Sequence, residues 1–419
     1  VFGINIENEI SPGDVIEVAL NEKDPESKDA KDPAYPLKID QTPDIEGSLV
    51  LLNPHTGQVM AMEGGYSYEK SVFNRATQSY RQPGSSFKPI VYLAALDGFD
   101  YTASTIVHDE PISIKWGDEI WSPKNYDQKY MGPITLQRAL ELSRNMVSVD
   151  IVSRIGLNAI IKYAKKLGIE SPIGRNLSVS LGTSEVTMLE IARAYGVFAS
   201  NGVLFKTSYI NSIKDRTGKD LYSWDNEKFA LAEQVLDEKS AFLMSHIMTG
   251  TIQRGTATAL KSMNRQIAGK TGTTNDQMDA WFIGFTPQWV CGVWVGFDQK
   301  KEIGDKETGG RVSVPIWKDF MENFLKYQEE KDYEKQVQDA KADAERLGIE
   351  YVPPVKLPPS EFIPPSGVEG YWVSRGTGRI VSPGTPESIY EYFKTGTEPK
   401  EQAPPEEQEV EDYLESPEL

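Results

Sequence analysis

Apolar positions along the chain change their spacing several times, and each change marks a different kind of element. Near the start, residues 14–20 read as one strand, followed by a polar stretch rich in Lys, Asp and Pro. So short a piece cannot bury a core of its own, and residues 1–46 read as the remnant of a small, OB-like β domain. From Gly47 the pattern sharpens. Residues 48–52 and 58–62 flank Asn53-Pro54-His55-Thr56-Gly57, a hairpin with Pro and Gly where turn geometry wants them. After Pro83-Gly84, residues 87–96 are apolar nearly all round, the mark of a helix in the middle of a domain. Pro89 is tolerated only in a first turn, so this helix begins close to Ser85. Residues 136–142, 147–167 and 188–199 are amphipathic helical runs, and strand character returns from Ile267. Residues 280–297 split into two strands at Thr286-Pro287-Gln288. A hairpin, many helices, then strands again predict an α+β domain whose last strands return to pair with its first.

The pattern weakens toward the end. Residues 315–326 predict a closing helix that starts at Pro315, and residues 327–350 are so rich in Glu, Lys, Asp and Gln that they form either a solvated helix or no fixed structure. Pro353-Pro354, Pro358-Pro359 and Pro364-Pro365 mark an extended linker. Residues 370–382 predict a small hairpin around Gly376-Thr377-Gly378, and disorder is expected beyond Thr397. The expected domains are therefore 1–46, the β remnant; 47–327, the main domain; 328–369, a charged and Pro-rich linker; 370–397, a C-terminal hairpin extension; and 398–419, an acidic tail.

Composition removes several function classes. The chain has 419 residues and a formal charge of −18, and residues 398–419 carry nine acidic side chains against one Lys. That balance argues against nucleic acid, whose phosphates need clustered Lys and Arg. The three histidines are scattered and the single cysteine, Cys291, lies in an apolar run, so a zinc site, a His-based triad and an intramolecular disulfide are not expected, nor is any cofactor. No uninterrupted apolar stretch of about 20 residues spans a bilayer. The chain opens on Val1 with no leader pattern, which suggests a processed or excised piece.

The candidate chemistry lies in three segments. In Ser85-Ser86-Phe87-Lys88 the spacing is just under one helical turn, so Ser85 and Lys88 share a face and the amine can reach the hydroxyl. Set in a nearly all-apolar helix, Lys88 is desolvated, which favours its neutral form and makes it a candidate base. The amide of Ser85, at the helix N-terminus, faces a developing oxyanion. Ser-x-Asn occurs at Ser143-Arg144-Asn145 and at Ser262-Met263-Asn264. The first lies 58 residues after Ser85, at a break between helical runs, and is the candidate; the second reads as a turn feeding the next strand. Lys-Thr-Gly-Thr occurs at 270–273 and at 394–397. Lys270 sits between apolar strand runs, as an edge strand beside a cleft should, where Gly272 lets a substrate backbone approach and the hydroxyls of Thr271 and Thr273 can hold a carboxylate. Lys394 leads into the acidic tail with no sheet partner and reads as linker.

With these segments in place, the chain resembles the transpeptidase region of class A penicillin-binding proteins, in the superfamily shared with serine β-lactamases; Ser-x-x-Lys, Ser-Asp-Asn and Lys-Thr-Gly are motifs of that group. The resemblance extends through Phe73-Asn-Arg-Ala-Thr77, Arg81-Gln-Pro-Gly84, Gly132-Pro-Ile-Thr-Leu136 and Leu181-Gly-Thr-Ser-Glu-Val186, and weakly into 370–382. Arg144 departs from Ser-Asp-Asn, leaving both functional side chains in place. The resemblance implies an antiparallel five-stranded sheet flanked by helices. It also implies a D,D-transpeptidase that cross-links peptidoglycan stem peptides and is acylated by β-lactams, at the periplasmic face of the cytoplasmic membrane, with a glycosyltransferase domain and a membrane anchor expected upstream.

The implied roles are Ser85 as nucleophile, Lys88 as its base, and Ser143 with Lys270 as the path of a proton to the departing D-alanine. Asn145 orients the acyl chain and Lys88, backbone N–H groups of Ser85 and Thr273 form the oxyanion hole, and Thr271, Gly272 and Thr273 bind substrate. Three readings compete. A class A β-lactamase would carry a Glu-x-x-Leu-Asn segment, and none lies within the main domain, 47–327. A D-alanyl-D-alanine carboxypeptidase shares all the motifs, and a β-lactam sensor would acylate once and signal.

Overall fold

The computed structural model describes residues 16, 18–20, 37–39, 42–116 and 119–400. The chain divides into two units, Val1–Glu46 and Gly47–Leu419. In the first, β1 (Val18–Leu20) pairs antiparallel with β2 (Leu37–Ile39). The expected strand from residue 14 begins outside the described residues, as does the acidic tail beyond Lys400.

The second unit is built on an antiparallel five-stranded sheet. In chain order its strands are β3 (Glu46–Leu52), β4 (Val59–Glu63), then β5 (Ala268–Thr273), β6 (Asp279–Phe285) and β7 (Val290–Gly296), and the spatial order is β5-β6-β7-β3-β4. The late strands thus return beside the first hairpin. Every residue of β6 and β7 is buried, which is why both read as continuous apolar runs: the sheet is covered on both faces. On one face Trp317 packs edge-on to Phe282 and donates its indole N–H to Cys291 O at 2.9 Å. On the other, Tyr195 and Phe198 meet Phe285.

The helices that matter most are α1 (Lys88–Gly98), α2 (Leu136–Glu141), α3 (Asn145–Ile155), α4 (Leu157–Lys166), α5 (Met188–Ala199), α6 (Glu238–Gln253) and α7 (Gly309–Leu347). All residues from Lys88 to Leu96 are buried, so α1 is the central helix that its all-round apolarity predicts. A 3-10 turn, Gly84–Phe87, precedes it, and Pro89 falls in its first turn.

Several expectations are corrected. The run at 147–167 is two helices, because Gly156 at φ 86 breaks it. The closing helix starts at Gly309, six residues before Pro315, and runs for 39 residues. Its first half buries Val314, Trp317, Met321 and Leu325, spaced to lie on one face, whereas its Glu- and Lys-rich second half is the solvated alternative. The C-terminal hairpin is larger than 370–382: Val368–Ser374 pairs with Ser388–Lys394, and Gly376-Thr377-Gly378 forms a turn inside the connection. Lys394 therefore has a sheet partner, Val368. Its amine lies 3.4 Å from Asp237 and 3.8 Å from Asp97, at the far end of α1 from Ser85.

Candidate active site

The nucleophile candidate, Ser85, stands half-buried on the 3-10 turn, and that turn lies directly against the edge strand β5. The contact is made possible by missing side chains. A Cβ on Gly272 would come within 2.3 Å of Pro83 O, and one on Gly84, at φ 53, within 2.5 Å of Thr273 O. Backbone meets backbone here, which brings the Ser85 turn beside Thr273.

Lys88 is fully buried. Its amine donates to Ser143 O at 2.6 Å and to Asn145 Oδ1 at 2.7 Å, and lies 3.3 Å from Ser143 Oγ. Lys270, also fully buried, donates to the same Ser143 Oγ at 2.9 Å and to Thr271 O at 3.0 Å. Burial lowers both amines: Lys88 lies well below the ordinary lysine value, pushed down first by desolvation and then by the charges of Lys270 and Arg144. Desolvation lowers Lys270 to about 7.

The expected direct hydrogen bond between Lys88 Nζ and Ser85 Oγ is not formed among the described residues. The amine has two carbonyl-type acceptors within 2.7 Å, and these take its N–H groups. A neutral amine with both N–H groups engaged keeps one lone pair, the group a base needs, and hydrogen bonds of this kind often close only when substrate is present.

Ser143 owes its place to a rarely used backbone conformation. It sits between α2 and α3 at φ 57, in the left-handed region. Asn145 opens α3, and its side-chain amide is oriented by donating from Nδ2 to Lys124 O at 2.8 Å, so that Oδ1 faces Lys88. Thr271 and Thr273 are placed differently from one another. Thr271 Oγ1 shares a hydrogen bond with Thr256 Oγ1 at 2.7 Å, and Thr273 Oγ1 accepts from Gly309 N at 3.1 Å.

The duplicates of the motifs separate by environment. Lys394 of the second Lys-Thr-Gly-Thr is away from this cluster, and Ser262 of the second Ser-x-Asn donates only to Ala259 O, in a 3-10 turn. A second Ser-x-x-Lys, Ser67 to Lys70, escaped the sequence reading; Lys70 is exposed and stands over the Tyr66 ring, so burial distinguishes it from Lys88. Sequence reasoning also missed Asp109 and Asn125. Both are buried, and both hold the Ser143-Arg144-Asn145 turn from segments 20 or more residues away.

Residues 47–322 match the family described as "Penicillin binding protein transpeptidase domain". Among curated relatives, penicillin-binding protein 1A of Neisseria gonorrhoeae is 43% identical over 297 residues, 68% of this chain and 36% of the relative. That of Rickettsia bellii is 37% identical over 375 residues, covering 84% and 43%. The chain thus spans well under half the length of these two relatives. Among solved structures, penicillin-binding protein 1A from Haemophilus influenzae superposes with a TM-score of 0.75 at 30% identity, covering 88% of this chain and 56% of that one. The PonA1 protein of Mycobacterium tuberculosis in complex with penicillin V gives 0.60 at 25% identity, covering 68% and 79%.

Proposed function

The chain belongs to the penicillin-binding protein transpeptidase family, and on that footing we propose that it is a serine D,D-transpeptidase that joins peptidoglycan stem peptides and is acylated by β-lactams. One observation carries the reading: two buried, depressed lysines converge on a single hydroxyl, Ser143 Oγ, beside a serine turn held against the edge of a sheet.

The chemistry follows from that arrangement. Lys88, whose burial favours the neutral form, takes the proton of Ser85 through its lone pair, and Ser85 Oγ attacks the carbonyl of the penultimate D-alanine. The backbone amides of Ser85 and Thr273 receive the oxyanion, a role supported by the close approach of Gly84 to Thr273; each such donor is worth about 3 kcal/mol in the transition state. Lys270 and Ser143 pass a proton to the departing D-alanine, and the amine of a second stem peptide then resolves the acyl-enzyme. Thr271 and Thr273 hold the terminal carboxylate of donor or β-lactam, with Gly272 letting the donor backbone lie along β5. No helix among the described residues is long and apolar enough to cross a membrane. The substrate places the reaction at the periplasmic face of the cytoplasmic membrane.

Intact mass spectrometry after incubation with a penicillin tests this. A single covalent adduct mapped to Ser85, lost in Ser85→Ala and retained in Lys394→Ala, is expected; an adduct that survives Ser85→Ala overturns the assignment. Turnover of a D-Ala-D-Ala donor with an added amine separates transpeptidase from sensor, and the ratio of aminolysis to hydrolysis separates it from carboxypeptidase.

A further inference from the structure

The residue between Ser143 and Asn145 is tied into a buried polar network that reaches two other parts of the chain. Arg144 Nε donates to Asp109 Oδ2 at 2.8 Å, Nη1 to Asp127 Oδ2 at 2.9 Å, and Nη2 to Lys129 O. Asp109 is completely buried at the end of the strand Ile106–Asp109, and it accepts two further bonds, from Asn125 Nδ2 at 2.7 Å and Met131 N at 3.0 Å. Asn125 in turn accepts from the backbone N–H groups of Asn145 at 2.7 Å and Met146 at 3.4 Å, capping α3 from 20 residues away because Arg144, at the N-cap, supplies no cap. Lys124 O then fixes the Asn145 amide. Segment 124–131 is therefore pinned to the Ser143-Arg144-Asn145 turn by four hydrogen bonds, with a fifth to Met146.

We infer that the Asp109–Arg144 pair is a positioning device for acylation: it clamps segment 124–131 onto this turn and so holds Ser143 and Asn145 at the Lys88 amine. A left-handed serine costs of order 1 kcal/mol and persists only where its surroundings impose it. Here they do, through Ser143 N and Arg144 N bonded back to Leu140 O and Ala139 O and through the Arg144 side chain beyond. A buried carboxylate with three donors and a buried guanidinium with three acceptors are satisfied as a unit, and removing either leaves the other stranded.

The pair also sets the field at Lys88. The charged groups that face this amine are Lys270 on β5, Arg144 on the turn and Asp109 on its strand; Arg144 lowers the Lys88 pKa and Asp109 raises it. Opposite substitutions therefore have opposite signs. Arg144→Met removes a positive charge, raises the Lys88 pKa and moves the acidic limb of acylation to higher pH. Asp109→Asn leaves Arg144 uncompensated and moves it to lower pH. Damage to packing alone would slow both variants without shifting them apart.

The inference rests on the acylation reading, and the experiment keeps the two apart. Second-order rate constants for acylation by a fluorescent penicillin are measured from pH 5 to 9 for the parent, Arg144→Met, Arg144→Lys and Asp109→Asn, with thermal unfolding of each. We expect each variant to fall about tenfold or more at the plateau and the limbs of Arg144→Met and Asp109→Asn to part by roughly half a pH unit or more. Arg144→Lys keeps the charge but not the fork, so its plateau falls while its limb stays with the parent. If Arg144→Met does not fold, the near-isosteric Asp109→Asn and the charge-conserving Arg144→Lys decide. Variants acylated at the parent's rate with an unmoved limb, or limbs that shift the same way, overturn the inference. A parent that is not acylated overturns the underlying reading instead.

Discussion

Lys270 Nζ lies 2.9 Å from Ser143 Oγ, so the third motif touches the second directly, although 127 residues separate them. The same hydroxyl is within 3.3 Å of Lys88 Nζ. Among the described residues Ser143 is thus the one side chain that joins both amines, and the properties of the cluster follow from how it holds two lysines out of water.

Lys270 carries a stability signature. Its folded pKa, about 7, lies below the unfolded value near 10.5, so between these values the unfolded chain binds more protons than the native one. Stability from this group therefore rises as pH climbs from about 7 toward 10.5, and the burial penalty is fully present below 7. Lys270→Met removes the penalty. Its melting temperature relative to the parent should be highest at pH 6 and should decline steadily toward pH 10, read by thermal unfolding at each pH. A difference that is flat with pH, or grows, refutes a depressed Lys270.

On the proposed mechanism Ser143 combines a needed hydroxyl with a disfavoured backbone, and two substitutions separate them. Ser143→Ala and Ser143→Gly both remove the proton path and should both lower acylation by roughly 10²-fold, within the range for a positioned proton-transfer group. Glycine pays no penalty at φ 57. Ser143→Gly should therefore be more stable than Ser143→Ala by about 1 kcal/mol in urea unfolding; the reverse order would show that the left-handed serine is not strained.

Much of this was legible from local spacing, and the reasons for the exceptions are physical. Helix α5 at Met188–Ala199 agrees with its predicted range because it is closed by a capping box, Thr187 with Glu190, and an apolar face that the sequence displays. Lys88 and Lys270 stood out because each is a charge inside an apolar run. Asp109 and Asn125 did not, since a buried Asp is recognised by its partner, and Arg144 is 35 residues away. Lys394 looked like linker because its strand partner, Val368, lies across a connection full of turn residues. Pro315 marked a helix start by rule, yet the helix continues through it where Ser313, Val314 and Trp317 are anchored on the sheet.

The C-terminal hairpin is attached through an unusual contact. Among the described residues Glu391 is buried with neither oxygen hydrogen-bonded, and His246 Nε2 on α6, which hydrogen-bonds with Tyr390 O at 3.2 Å, faces it at 3.4 Å. Tyr392 packs edge-on against both Phe242 and His246. His246→Ala should destabilise the protein by about 2 kcal/mol, because it strands a buried carboxylate, while His246→Ala with Glu391→Leu should recover most of that loss. Chemical unfolding of the two variants checks this. A double variant no better than the single one shows that ring packing, rather than the carboxylate, dominates.

Gly272 offers the sharpest test of how the serine turn is held. An added methyl would meet Pro83 O at 2.3 Å, Ser86 Oγ at 2.9 Å and Trp281 Cβ at 3.0 Å, and two of these belong to the turn that carries Ser85. Neither backbone can yield without moving Ser85, the proposed nucleophile, away from the strand, and a displacement of about 1 Å in a reacting group costs roughly 10²-fold in rate. Gly272→Ala should lose acylation to that extent. Gly196, inside α5, is the matched control: a methyl there meets only Pro54 Cβ, at 3.9 Å. Gly196→Ala should leave acylation unchanged and stabilise the fold by about 0.5–1 kcal/mol through helix propensity. If Gly272→Ala is acylated at the parent's rate, the turn is not seated on the strand, and the proposed oxyanion hole between Ser85 and Thr273 loses its support.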